Sequence, residues 1–321
     1  MSAQSFKNLF LACALLGASA HAAYPDKPIR LVVPWAAGGS TDAVARAVAQ
    51  RMTETMGQSV VVDNRTGASG QIGTDAVAKS QPDGYTIGIV ELPHAIAPAV
   101  FSKLPYDFLR DFAPVSMLGT SPLMLFVSAS HYKTGDIKGF LKNGRISTAP
   151  LPIANSGNGS ISHLSGELLA NATDLKINAI PYRGSAPALT DVASGLVAGH
   201  FSTLASGSSL LGAGKISALM VTGSSRFAGL PDVPTAAEAG IPGMQFNQWW
   251  ALVAPATTPI EIVQRLNKEV VSALTYPATR ERLTSLGIEL KGSTPEALRG
   301  FMRSEVEHWG DVVRKAGIRP E

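Results

Sequence analysis

Three short stretches carry residue types that could hold an anion, and each lies between an apolar run and a helix-like segment. The first is PWAAGGSTD (34–42), after IRLVV (29–33). Gly38 and Gly39 let the backbone approach a ligand with no Cβ in the way. The helix that follows points its free first-turn N–H groups at the same place. Trp35 is expected as an apolar wall beside Ala37. Asp42 suits the helix terminus but opposes an anion next to it, so it is expected to cap or to accept from a bound water. The second stretch is NSGNGS (155–160), where Ser156, Asn158 and Ser160 add polar groups to a glycine turn. The third is YRGSAP (182–187), where Arg183 could clamp a carboxylate through two donors and Ser185 adds a hydroxyl. A carboxylate suits all three turns as well as a phosphate does.

More specialised chemistry is missing its residues. A nucleotide phosphate loop needs G-x-x-x-x-G-K-[ST], and the first turn has no lysine. A dinucleotide fingerprint needs three spaced glycines; Asp63 imitates its acid, but the turn offers only Gly38-Gly39. No G-x-S-x-G marks a hydrolase nucleophile. The histidines are scattered, with no H-E-x-x-H. Neither cofactor nor metal is expected, and no enzymatic activity.

These turns need strands and helices to hold them. IRLVV (29–33), SVVVD (59–63) and YTIGIV (85–90) read as buried strands, and 41–56 and 71–80 as helices between them. That β-α-β-α-β order argues for a parallel sheet. LMLFVS (123–128) is a further strand. A second α/β block follows, with strands near 152–156, 177–182 and 216–222 and helices over 137–144, 161–170 and 186–195. WWALVAP (249–255) and three C-terminal helices finish the chain. The expected fold is α/β with two lobes, each a mostly parallel sheet flanked by helices. Lobe 1 takes 23–124 and 247–321, and lobe 2 takes 125–246. The chain crosses between them twice, so the cleft is the expected ligand site.

Composition agrees with a soluble, core-forming chain: 45% hydrophobic and 16% charged over 321 residues. The net charge of +3 comes without an arginine-rich helix or basic stripe, so no nucleic-acid partner is expected. MSAQSFKNLFLACALLGASAHA (1–22) has a lysine, a short apolar run and A-H-A, the layout of a secretory signal peptide cleaved after Ala22. The single cysteine, Cys13, lies inside it. The mature chain then has no disulfide or thiolate chemistry, and export to an oxidising compartment is expected.

Further stretches extend the three turns into a longer pattern. YPDKPIRLVVPWAAGGSTDAVAR (24–46), NRTGASGQIGTDAVAKSQPDGYT (64–86), LPYDFLRDFAPVS (104–116), NSGNGSISHLSGE (155–167), PYRGSAPALTDVASG (181–195), LPDVPTAAEAGIPG (230–243) and WWALVAPATTP (249–259) run in order over nearly the whole mature chain. Together they resemble the Bug family, the periplasmic receptors of tripartite tricarboxylate transporters. The resemblance implies a Venus-flytrap receptor, monomeric and without catalysis. Its partners would be a small carboxylated solute and the integral membrane subunits of a secondary transporter. It maps solute contacts onto Trp35 to Asp42, Ser156 to Ser160 and the Tyr182–Ala186 turn, with the region from Leu92 to His94 closing one side. A receptor that senses rather than imports, and an α/β enzyme acting on a carboxylate, remain open alternatives. Where the family usually reads GQVDLMFD, this chain has GLVAGHFS (195–202), which places Ser202 at a customary aspartate. If Ser202 faces the solute, a partner for an ammonium group is gone, and a plain acid is favoured.

Overall fold

In the computed structural model, residues 24–315 and 317 are described. The expected signal peptide and Cys13 lie outside them. Among the described residues, no helix is long and apolar enough to cross a membrane.

The strand order is β2-β1-β3-β9-β4-β7-β5-β6, with β8 and β10 also paired to β4. On one side lie β1 (Ile29–Val33), β2 (Val60–Asn64), β3 (Thr86–Glu91), β9 (Asn247–Pro255) and the short β10 (Glu289–Leu290). On the other lie β5 (Leu151–Asn155), β6 (Ile177–Pro181), β7 (Gly199–Thr203) and β8 (Ile216–Val221). The 17-residue β4 (Phe112–Ser128) runs through both. It pairs with β9 up to Pro122 and with β7 from Leu123. Proline has no N–H to give a ladder, so Pro122 suits the point where one ladder stops and another starts.

The outer strands of each half are parallel, as their crossover helices require: β1 with β2 and β3, and β5 with β6 and β7. The long central strands enter antiparallel, so each half is a mixed sheet rather than a mostly parallel one. β1 is buried on both faces. Ile29, Leu31 and Val33 join one apolar cluster and Val32 the other, which explains an unbroken apolar run where alternation would mark a one-sided strand.

Helices follow the strands. They are α1 (Ser40–Met56), α2 (Gln71–Ala78), α3 (Leu92–Val100), α4 (Ile137–Ile146), α5 (Ile161–Thr173), α6 (Ser185–Ser194) and α7 (Leu204–Gly212). The chain closes with α8 (Ile260–Thr275), α9 (Pro277–Ser285) and α10 (Pro295–Lys315). The last of these packs on α3 and β4, and its Glu305 accepts from the indoles of Trp249 (2.7 Å) and Trp309 (3.2 Å).

Candidate functional site

Five of these strands end at one place. β1, β3, β5, β6 and β7 each deliver the chain into a helix there, and the crevice beyond strand C-termini is where open α/β sheets hold ligands. The helix starts are Gly39-Ser40 of α1, Glu91 of α3, Ser160 of α5, Gly184-Ser185 of α6 and Thr203 of α7. All of them line one partly closed cavity of about 50 Å³. Gly39, Gly184 and Thr203 make no side-chain cap, so first-turn N–H groups are left for something else. The positive ends of five helix dipoles meet there, and among the described residues no lysine or arginine lines the cavity.

The lobes touch around it. Ser40 N–H donates to Ser206 Oγ at 3.0 Å across the cleft. Gly184 (φ +134°, ψ 176°) holds a backbone shape open essentially to glycine alone, and a Cβ there would lie 3.4 Å from Ala36. On the far side Ser156 Oγ pairs with Ser185 Oγ (3.1 Å), and Ser160 Oγ with Ser162 Oγ (3.0 Å).

Of the residues singled out above, Trp35, Gly39, Ser156, Ser160, Ser185 and Ser202 line this cavity. Asn158 and Arg183 line a larger outer groove of about 740 Å³, on which Trp35 and Ser156 also border. Arg183 is exposed there, because the turn after β6 directs it away from the smaller cavity. Arg183 thus belongs to the outer groove and is not among the residues that line the smaller cavity. Arg183→Ala is accordingly expected to leave solute affinity within about twofold by calorimetry, the scale of an exposed charge; a tenfold loss would return it to the site.

Ala37 and Gly38 lie on the exposed side of their turn. Asp42 is turned inward. It accepts from Gly38 N–H (3.1 Å), Arg46 Nε (2.9 Å) and Asn64 Nδ2 (3.1 Å), while Asn64 also donates to Trp35 O at 3.0 Å. Burial raises its carboxyl, but the bonds from Arg46, Gly38 and Asn64 outweigh this and hold it below the usual range. Asp42 therefore shapes the first turn and does not contact the cavity. His94 is also buried behind the wall. Its Nδ1 accepts from Glu91 N–H at 3.0 Å, and its Nε2 pairs with Thr74 Oγ1 at 2.7 Å. That arrangement caps α3 and leaves the ring no atom for a solute.

Sequence reading missed Glu91, Thr203 and Gln248 in the cavity wall, where Thr41, from the 35–42 stretch, and Ser162, beside the second turn, also lie. Glu91 matters most. Its Oε2 accepts from Thr41 Oγ1 (2.6 Å) and Gln248 Nε2 (2.8 Å), and Thr41 Oγ1 accepts in turn from Trp250 Nε1 (3.1 Å). Burial pushes the Glu91 carboxyl up to about 7, against the pull of its donors Thr41 and Gln248. The cavity thus keeps a carboxyl group although Ser202 has none, and the case for a plain acid drawn from Ser202 alone loses its premise. The available signal was an acid at the end of an apolar strand, followed by a proline.

Residues 44–318 match the family model described as the tripartite tricarboxylate transporter family receptor, TctC. The chain belongs to this receptor family. It is 37% identical over 314 residues to protein BugT of Bordetella pertussis, covering 97% of this chain and 96% of BugT. Its fold is similar to that of R. palustris Rpa4515, solved with adipate (TM-score 0.88, 37% identity, 93% of this chain and 100% of that one). It is similar also to MatC from Rhodopseudomonas palustris, solved with bound malate (TM-score 0.85, 35% identity, 90% and 100%). These likenesses place this receptor in the two-lobed periplasmic binding-protein fold, with no enzymatic role. Among the described residues, no group of three His, Cys, Asp or Glu could hold a metal ion.

Proposed function

We propose that this chain is an extracytoplasmic receptor that encloses a small carboxylate between its lobes and delivers it to the membrane subunits of a tripartite tricarboxylate transporter. The observation that carries the reading is the meeting of five helix N-termini in one cavity, three of them without side-chain caps. Uncapped N–H groups at helix starts favour a carboxylate oxygen over a neutral acceptor. Adipate in the R. palustris relative and malate in MatC support the same ligand class. In this reading Trp35, Gly39, Ser156, Ser160, Ser185 and Ser202 contact the solute, together with Thr41, Ser162 and Thr203. Room for roughly three to five waters suits a compact aliphatic acid.

The lobes divide at Pro122/Leu123 within β4, where its pairing passes from β9 to β7, and again between β8 and β9. The receptor works as a monomer in the periplasm after cleavage behind Ala22, and binds no nucleic acid. Intact mass of the exported protein tests the cleavage. The ligand class is tested by titration calorimetry of aliphatic acids against their amides. The acid is expected to bind tighter by about 1.5–3 kcal/mol, the net worth of one charge-assisted hydrogen bond. Equal affinity for acid and amide would overturn the reading.

A further inference from the structure

The cavity wall holds two buried oxygens that no described residue satisfies: Gln248 Oε1 and Thr203 Oγ1. Gln248 is 5% exposed and Thr203 3%. A buried polar atom left unpaired is costly and uncommon, so these two and Trp35 Nε1, a donor in the same wall that suits any carboxylate oxygen, indicate a ligand that completes them. The Gln248 oxygen has a fixed chemical sense. Its amide could turn either way on its own, but an ionised Glu91 only accepts. With Glu91 Oε2 2.8 Å from Nε2, the amide N–H₂ must face the carboxylate, and Oε1 is left as an acceptor. Glu91 is itself held by Thr41 Oγ1 at 2.6 Å and by the start of α3, where it accepts from the His94 backbone. With Glu91 ionised, the pair is therefore pre-set before any solute arrives.

We infer that Gln248, oriented by Glu91, is the specificity residue of this cavity, and that the solute it selects carries a hydrogen-bond donor, a hydroxyl or an ammonium, on the carbon chain next to a carboxylate. The inference rests on the carboxylate reading above and narrows it. An unsubstituted dicarboxylate offers only acceptors, so it leaves Gln248 Oε1 unpaired and brings its charge toward Glu91. A solute with a donor satisfies the oxygen, and a site built to pair a polar group rejects the analogue that lacks it. Thr203 does not choose between these solutes, since its hydroxyl both donates and accepts.

The test uses sets of matched acids on the native protein: succinate, malate and aspartate, then glutarate, 2-hydroxyglutarate and glutamate. Affinities are measured by calorimetry above about pH 8, where Glu91 is ionised. Within the chain length that binds best, the hydroxy or amino acid is expected to bind about tenfold or more tighter than the unsubstituted one, the scale of one such hydrogen bond. The larger of the two gains identifies the donor as hydroxyl or ammonium. In Gln248→Met the ratio is expected to fall toward one, whatever the loss common to all the acids. An unsubstituted acid that binds as tightly as both substituted ones overturns this inference and leaves the carboxylate reading standing. A substituted-to-unsubstituted ratio that survives in Gln248→Met also overturns it. Acids binding no better than their amides overturn both. The native ratio decides the matter even where the variant does not fold.

Discussion

Ser202→Asp is expected to weaken binding of an unsubstituted dicarboxylate by about two to three powers of ten. Ser202 lies on β7 opposite Met124 of β4, is 4% exposed and faces the cavity one residue before the α7 N-cap. A carboxylate placed there stands within several ångströms of the solute's own. At about 5 Å and an effective dielectric near 20, two like charges repel by about 3 kcal/mol, or roughly two powers of ten in affinity. The new group also competes directly, because the uncapped N–H groups that would hold the solute can hold the introduced carboxylate instead. Among the described residues, no lysine or arginine in the wall is available to offset it. Ser202→Asn carries a similar volume without charge and is expected to lose far less. The measurement is calorimetry on both variants, with thermal melting without solute as a check on folding. An aspartate variant within threefold of the native affinity would show that residue 202 does not face the solute. The same substitution should shift relative affinity toward an amino acid, since its ammonium gains a second carboxylate partner beside Glu91.

The residues that were legible are those whose local rule agrees with the tertiary role. IRLVV, two glycines and a periodic AVARAVAQRM make a strand, a turn and a helix that need nothing from elsewhere, and β1 and α1 form there. The first half of β4 was hidden because Pro114, Gly119 and Pro122 break the strand pattern. It forms because β9 pairs along it, with register shifts that pass over Val115 and Leu118, next to Pro114 and Gly119. β7 and α7 were hidden too. GHFST and LASGSSLLG have neither alternation nor a wide apolar stripe, and packing against β4 decides their form. At the site, glycine turns announce themselves through backbone chemistry, so three of the five helix starts were found. Arg183 looked like a clamp because it carries charge, but the direction of a side chain after a strand is a tertiary fact. Glu91 and Gln248 are separated by 157 positions, and only the antiparallel pairing of β3 with β9, Glu91 opposite Trp250, brings their side chains together.

Folding stability should rise as pH increases from about 4.5 to 6.5, and His200→Asn should remove a large part of that rise. His94 and His200 are both buried, and burial pushes each imidazole down from 6.5 to about 4. His200 donates from Nδ1 to Ala154 O at 2.9 Å and has no partner for Nε2 among the described residues, so the folded protein holds it neutral. Between the two values the unfolded chain binds the proton and the folded chain does not. The stability is then fully present above 6.5 and is lost as pH falls through the folded value. Glu91 acts with the opposite sign. Its carboxyl rises from 4.5 to about 7, so its contribution is present below 4.5 and is lost as pH increases through 7. Two histidines against one carboxyl leave a net rise across the shared window. Asparagine keeps a donor for Ala154 O but takes up no proton. At about 1.36 kcal/mol per unit, the native protein should gain about 2–3 kcal/mol more than His200→Asn between these two pH values. Urea unfolding of both proteins at each pH measures it. Taking the difference between variant and native cancels the surface carboxylates, which titrate alike in the two. Parallel pH profiles would mean that the His200 ring is already protonated in the folded protein near neutral pH, and that its Nε2 has found an acceptor.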